Sequence, residues 1–130
     1  METEKLALDI AQALQQAMAT PGFSVDDYLD DRDAAPFDPA WSHAHAGLQK
    51  TLEQRPEPTR QAIEKGSAAL REPVFKQVMG ACGSPDLAAS LSDDAGLILE
   101  ATLAGFSSGW IDALRRCYAS HRLPCGALDA

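Results

Sequence analysis

Nowhere along the chain do apolar and polar residues alternate with the period of two that a half-buried strand requires, and this restricts the fold more than any other feature. The β-branched residues Val and Ile number only three and four in 130 residues, whereas Ala, Leu and Gln are plentiful. That balance favours helix by intrinsic propensity. We therefore expect an all-α domain spanning residues 1–130, a small bundle or short stack of antiparallel helical pairs with about six to seven helices.

In the first helix, about Thr3 to Ala19, the residues Leu6, Ile10, Leu14, Ala17 and Met18 recur at three- and four-residue spacing and give one inward stripe. Pro21 and Gly22 end it. Ser24 caps a short turn holding Asp26, Asp27, Tyr28 and Leu29, and the acids and prolines from Asp30 to Pro39 indicate a loop. Asp38 before Pro39 starts a helix to about Gln54, with Trp41, Ala44, His45, Leu48 and Leu52 inward. Pro56 and Pro58 break the chain before a helix from about Pro58 to Arg71, with Ile63 and Leu70 inward. Pro73 then opens a short helix through Val74, Phe75, Val78 and Met79, which Gly80 and Gly83 close. Ser84-Pro85-Asp86 begins one or two turns to Leu91. Ser92 caps again, placing Asp93 and Asp94 in a first turn, where the helix dipole favours negative charge. Ala95 to Phe106 is apolar nearly all round except Glu100 and Thr102, so this helix should be the most buried. The last helix, about Gly109 to His121, puts Trp110, Ala113, Leu114, Cys117, Tyr118 and His121 on one face. Leu97, Leu103, Trp110 and Leu114 are expected in the core.

With 11 Lys and Arg against 19 Asp and Glu, the net charge is −8, which disfavours nucleic acid, because phosphate-backbone affinity comes mainly from basic residues displacing counterions. The apolar runs fall far short of the ~20 residues of a membrane span, so no membrane partner is expected. METEKLALDI carries acids where a secretory leader is basic, and a cytoplasmic protein is the expectation. Three cysteines, an odd number, argue for reduced thiols rather than a disulfide framework.

Few constellations suggest chemistry. Cys117 and His121 are four apart, with Cys125 beyond them and Cys82 elsewhere, but no two cysteines have structural zinc spacing and Pro124 redirects the chain; no metal or cofactor is expected. His43 and His45 are two apart on a helix and point to different sides, His45 to the core and His43 to water. A Cys117–His121 nucleophile pair lacks an oxyanion-hole loop, so no catalytic residue is assigned and the chain is expected not to be an enzyme. Glu100, the single charge in an apolar helix, either acts as an acid or base or pairs with Arg115 or Arg116; structural pairing is the expectation.

The strongest surface signal lies between Ser24 and Pro39, where six acids face one base, Arg32. This stretch lacks the loop glycine and terminal Glu of a calcium-binding EF-hand. Either it is a solvated face that aids solubility, or it docks a basic partner. For docking, the candidate residues are Asp26, Asp27, Asp30, Asp31 and Asp33, with Tyr28 or Phe37 as anchor.

From Asp93-Asp94 through Gly105, Trp110-Ile111, Leu114, Cys117-Tyr118 and Pro124-Cys125-Gly126, the C-terminal third resembles small cytoplasmic immunity proteins that accompany bacterial polymorphic toxins. In those relatives a tryptophan commonly follows the final glycine, where Ala127 stands here. The resemblance implies a non-enzymatic inhibitor that binds a cognate toxin domain and blocks its active site, and an acidic surface suits a basic toxin. A helical adaptor or chaperone would use the same surface without inhibiting anything. A small enzyme would need a concave pocket converging on Glu100, His45 or His121.

Overall fold

The computed structural model describes residues 2–128. Within them the chain forms six helices and no strand: α1 (Glu2–Ala19), α2 (Val25–Asp33), α3 (Phe37–Glu53), α4 (Glu57–Cys82), α5 (Pro85–Ala104) and α6 (Gly109–Ala119). The all-α expectation holds. No helix among the described residues is long and apolar enough to cross a membrane.

Serines set three of the helix starts: the hydroxyls of Ser24, Ser84 and Ser108 accept from the backbone N–H groups of Asp27, Leu87 and Ile111 at 3.1–3.2 Å. Each such cap is worth about 1 kcal/mol. Gly83 ends α4 in the left-handed region at φ 69°, a conformation that costs other L-residues, and so allows the chain to turn straight into α5. The resulting α4–α5 hairpin makes the most extensive helix contact in the molecule, and α5 also touches α1, α2, α3 and α6. As its apolar sequence predicts, α5 is the centre of the fold, with twelve residues buried.

Longer helices than the sequence suggested come from stripes that stay in register across the breaks. Ile63, Ser67, Leu70, Val74 and Val78 form one buried face of α4. This face packs on α5 without interruption, so α4 runs through Pro73 and Gly80 despite a proline cost of about 3 kcal/mol in an isolated helix. Likewise Leu87, Ala88, Leu91 and Ala95 continue the inward face of α5, and Ser92 does not cap; its hydroxyl donates back to the Ala89 carbonyl at 3.0 Å. Residues expected in a loop, Asp30 to Asp33, belong to α2, and α3 begins at Phe37, two residues before Pro39.

Several residues expected to face inward sit elsewhere; Met18, at the end of the α1 stripe, is 45% exposed. Leu103 is 49% exposed, because the inward positions near the end of α5 are Ala101 and Ala104. Trp110 is half-buried and packs on the Phe37 ring with centroids 5.4 Å apart. His45 is exposed and stacks on Trp41 at 5.2 Å, since the core face of α3 consists of Phe37, Ala44 and Leu48. Leu97 and Leu114 are buried as expected.

Candidate functional site

Asp94 interrupts the inward stripe of α5, between Leu91 and Ile98, and is fully buried. A carboxylate in that position needs every lone pair met. Arg32 reaches it from α2 as a fork, with Nη1 donating to Oδ2 at 2.8 Å and Nη2 to Oδ1 at 2.9 Å. The indole Nε1–H of Trp41 in α3 donates to Oδ1 at 2.9 Å, and the Tyr118 hydroxyl in α6 donates to Oδ2 at 2.5 Å. Each oxygen thus accepts two bonds, which fills the carboxylate's capacity. Arg32 Nη1 also donates to the Tyr28 hydroxyl at 3.3 Å, and that hydroxyl donates to the Pro124 carbonyl at 2.6 Å. The guanidinium lies 4.7 Å from the centre of the Phe37 ring.

The electrostatics fix the protonation of this hub. Burial alone would lower the Arg32 pKa, but the adjacent Asp94 carboxylate overrides it and holds the guanidinium above its ordinary range. Burial pushes Tyr118 well above the usual phenol value, with the Asp94 charge adding to it. Tyr28 is raised too, by burial first, with Arg32 opposing. A charged arginine, a carboxylate and two neutral phenols therefore make a closed polar hub that joins α2, α3, α5, α6 and the segment after α6.

That hub determines what α2 shows to solvent. Tyr28 and Arg32, four apart, take the inward face, while Asp26, Asp27, Asp30, Asp31 and Asp33 are all exposed, as is Asp38 at the start of α3. The only base of the segment is consumed internally, so the five aspartates of α2 have no compensating charge on their own helix. The aromatic anchors expected among them are not available: Tyr28 is 6% and Phe37 1% exposed, both held in the core around Arg32. The acids lie where the sequence suggested; the anchors do not.

A second polar region lies in a cleft of about 410 Å³ between α3, α4 and α5, lined among others by His45, Gln49, Ser67, Arg71 and Glu100. Glu100 is not paired with Arg115, which instead reaches Glu2 at 2.6 Å and donates to the Thr102 hydroxyl at 2.8 Å. Arg116 lines a different cleft, beside Cys117 and Arg122. The partner Glu100 does have is Ser67, whose hydroxyl donates to Oε2 at 2.8 Å.

Cys117 and Cys125 line one cleft of about 370 Å³ beyond the end of α6. Burial pushes both thiols up, and for Cys125 the nearby Asp31 adds to the effect, so both resist forming the nucleophilic thiolate. His121 does not serve Cys117: it leaves the helix at φ 59° and its Nε2 lies 3.3 Å from Asp9 of α1.

Sequence reasoning placed Asp94 in a first turn and overlooked the hub. One signal could have found it: Asp94 sits three after Leu91 and four before Ile98, a charge in a core register, while Tyr28 and Arg32 sit one turn apart.

Fold and site together define a small all-helical protein whose charged residues divide into an internal lock and an uncompensated acidic face. The family model for immunity protein PIM1 matches residues 7–125, and the chain belongs to that family of toxin-system immunity proteins. The likeness extends well beyond the C-terminal third that carried the resemblance in the sequence. No curated protein matches the chain, and no solved structure does.

Proposed function

We propose that the chain neutralises a cognate toxin domain by binding it, without catalysis, through the outer face of α2, and that the toxin surface it meets is basic. The observation that carries this reading is the exposure of Asp26, Asp27, Asp30, Asp31 and Asp33 on one short helix whose arginine is turned inward. Like charges concentrated this way steer an oppositely charged partner and orient the encounter. Since Tyr28 and Phe37 are internal, α2 contributes charge and shape, and the aromatic or aliphatic anchors of the interface come from other residues or from the toxin.

The test is the variant Asp30→Asn, Asp31→Asn, Asp33→Asn, assayed with the cognate toxin domain. These three sit in the C-terminal half of α2, where negative charge opposes the helix dipole, so the fold should be unharmed. Association at low salt should slow by about tenfold and lose most of its salt dependence, and protection of co-expressing cells should weaken. Unchanged association rate, affinity and salt dependence would assign the acidic face to solubility alone.

A further inference from the structure

α1 and α4 run side by side in the same direction: Ala7 shares a hollow with Ala69 at one end of their seam, and Met18 shares another with Ala81 further along. The two hollows measure about 430 and 350 Å³, and both are mainly apolar and open to solvent. Large apolar side chains stand at their margins. Met18 is 45% exposed, and Leu8, 56% exposed, sits one turn after Glu4 and one turn before Ala11, which line the first and second hollow. Leu103, 49% exposed, comes within 3.6 Å of where a Cβ on Gly66 would stand, at the end of the seam that Ala7 marks. Three of the four large apolar side chains exposed among the described residues thus border one face. Contiguous apolar faces of this kind mark contact surfaces.

Charge decides what can cover this face. At a net charge of −8 two copies of the chain repel each other, and they can meet only where the excess of acid is absent. The seam is such a place. Glu4 lines it, Lys65, Glu72 and Lys76 flank its lining residues on α4, and Lys5 is turned aside to Asp9, which leaves two charges of each sign. Glu72 and Lys76 pair with each other at 2.9 Å. Glu4 and Lys65, at one end of the seam, form no ion pair or hydrogen bond among the described residues. A basic partner gains nothing from a balanced face, whereas a second copy brings both signs. Shape points the same way, because α1 supplies the large Leu8 and Met18, and α4 supplies Gly66, Ala69 and Ala81.

We propose that the α1–α4 seam is the interface of a homodimer, closed with a second copy of this chain about a two-fold axis that runs along the seam. Such an axis lays each copy's α1 on the partner's α4, large side chains on small ones, and sets each Glu4 against the partner's Lys65. An axis across the seam would instead stack α1 on α1 and α4 on α4, with Glu4 and Lys65 at opposite corners. α2 packs on α3 and α5 and lends no residue to either hollow, so the dimer does not draw on the acidic face. The inference stands apart from the reading of α2.

The experiment is sedimentation equilibrium of the full chain from about 1 to 500 μM, at about 0.15 M salt to screen the net repulsion. A monomer–dimer equilibrium with a Kd on the order of 10 μM is expected, as befits a small interface between copies of like charge. Met18→Glu puts a charge into the interface at a position exposed in the single chain, and should raise that Kd at least about tenfold while the melting temperature stays unchanged. Glu4→Lys and Lys65→Glu should each raise it about fivefold, since either one sets like charges together in both symmetry-related pairs. An equimolar mixture of these two variants should return to within about twofold of the parent Kd, because every such pair in the mixed dimer is again an acid against a base. A parent that stays monomeric at the highest concentration, a dimer indifferent to Met18→Glu, or a mixture no tighter than its components would overturn the proposal. A monomeric parent whose Met18→Glu variant loses toxin binding would give the seam to the toxin instead. The sedimentation runs contain no toxin, so their failure removes the dimer and leaves the α2 reading to its own assay.

Discussion

Asp94 and Glu100 lie six residues apart on α5, the helix at the centre of the fold, and their surroundings are opposite. Asp94 is sealed from water and accepts four bonds from three other helices. Glu100 is half-buried, accepts one bond, and shares its cleft with an arginine that bonds to nothing among the described residues. In the first setting, charge serves to lock helices together. In the second, Glu100 keeps one side turned to a cleft open to solvent. A carboxylate sealed from water must have its bonding capacity filled by the protein, whereas one beside an open cleft need not.

The contrast predicts a steep gradient of mutational cost. Asp94→Ala leaves the Arg32 guanidinium buried and unpaired, and should cost about 3–5 kcal/mol, much of the stability of a domain of this size. Chemical denaturation measures this; a loss below about 1 kcal/mol would mean the hub is not a lock.

Tyr118→Phe removes one charge-assisted bond to Asp94 and should cost about 1.5–3 kcal/mol near neutral pH. It should also alter the alkaline limb. Because Tyr118 and Tyr28 have raised pKa values, the stability they confer is fully present below the unfolded phenol value near ~10 and is lost as the pH rises above it. Stability of the parent should therefore fall with pH above about 10, and the Phe variant should fall less steeply; parallel curves would contradict the buried-phenol assignment.

Gly96→Ala lies between the two regions in effect. The added methyl presses on Arg71 Cδ and the Ser67 hydroxyl, and displacing the flexible arginine stem should cost about 1–2 kcal/mol. An unchanged midpoint of denaturation would show that the stem is free to move off α5. Smallest of all, Glu100→Gln keeps an acceptor for Ser67 and should change stability by no more than about 0.5 kcal/mol. A loss comparable to that of Asp94→Ala would erase the distinction between the two carboxylates.

Helix class and most of the core were legible because periodicity reports burial directly: the stripes of α1 and α5 are visible without coordinates. The prolines and serines misled where local signals competed with tertiary packing. Pro73 and Ser92 both mark breaks in isolation, yet each lies within a face that packs continuously in the α4–α5 hairpin. The five acids of α2 were visible as charge but not as a helix, because the residues that anchor it, Tyr28 and Arg32, find their partners 96 and 62 positions away. The same distance hid the fate of the anchors, since an aromatic among acids looks alike in sequence whether it faces out or in. Glu100 was recognised as unusual, but its partner could not be named without knowing that Ser67, rather than Arg115, lies across from it.

The polar hub also bears on how the molecule opens. Its bonds close loops of 24, 53, 62 and 96 residues, so no local segment completes it and no single helix can leave it alone. α2 is nine residues long and crowded with like charge, a helix that would not persist in isolation. Tied to Asp94, it cannot fray independently without exposing the carboxylate at the centre of α5. Amide protons of α2 should accordingly exchange with solvent at rates close to those of α5, through one cooperative opening rather than through the fast local fluctuations usual for a short surface helix. The acidic face is thus presented on a rigid platform, ordered before any partner arrives.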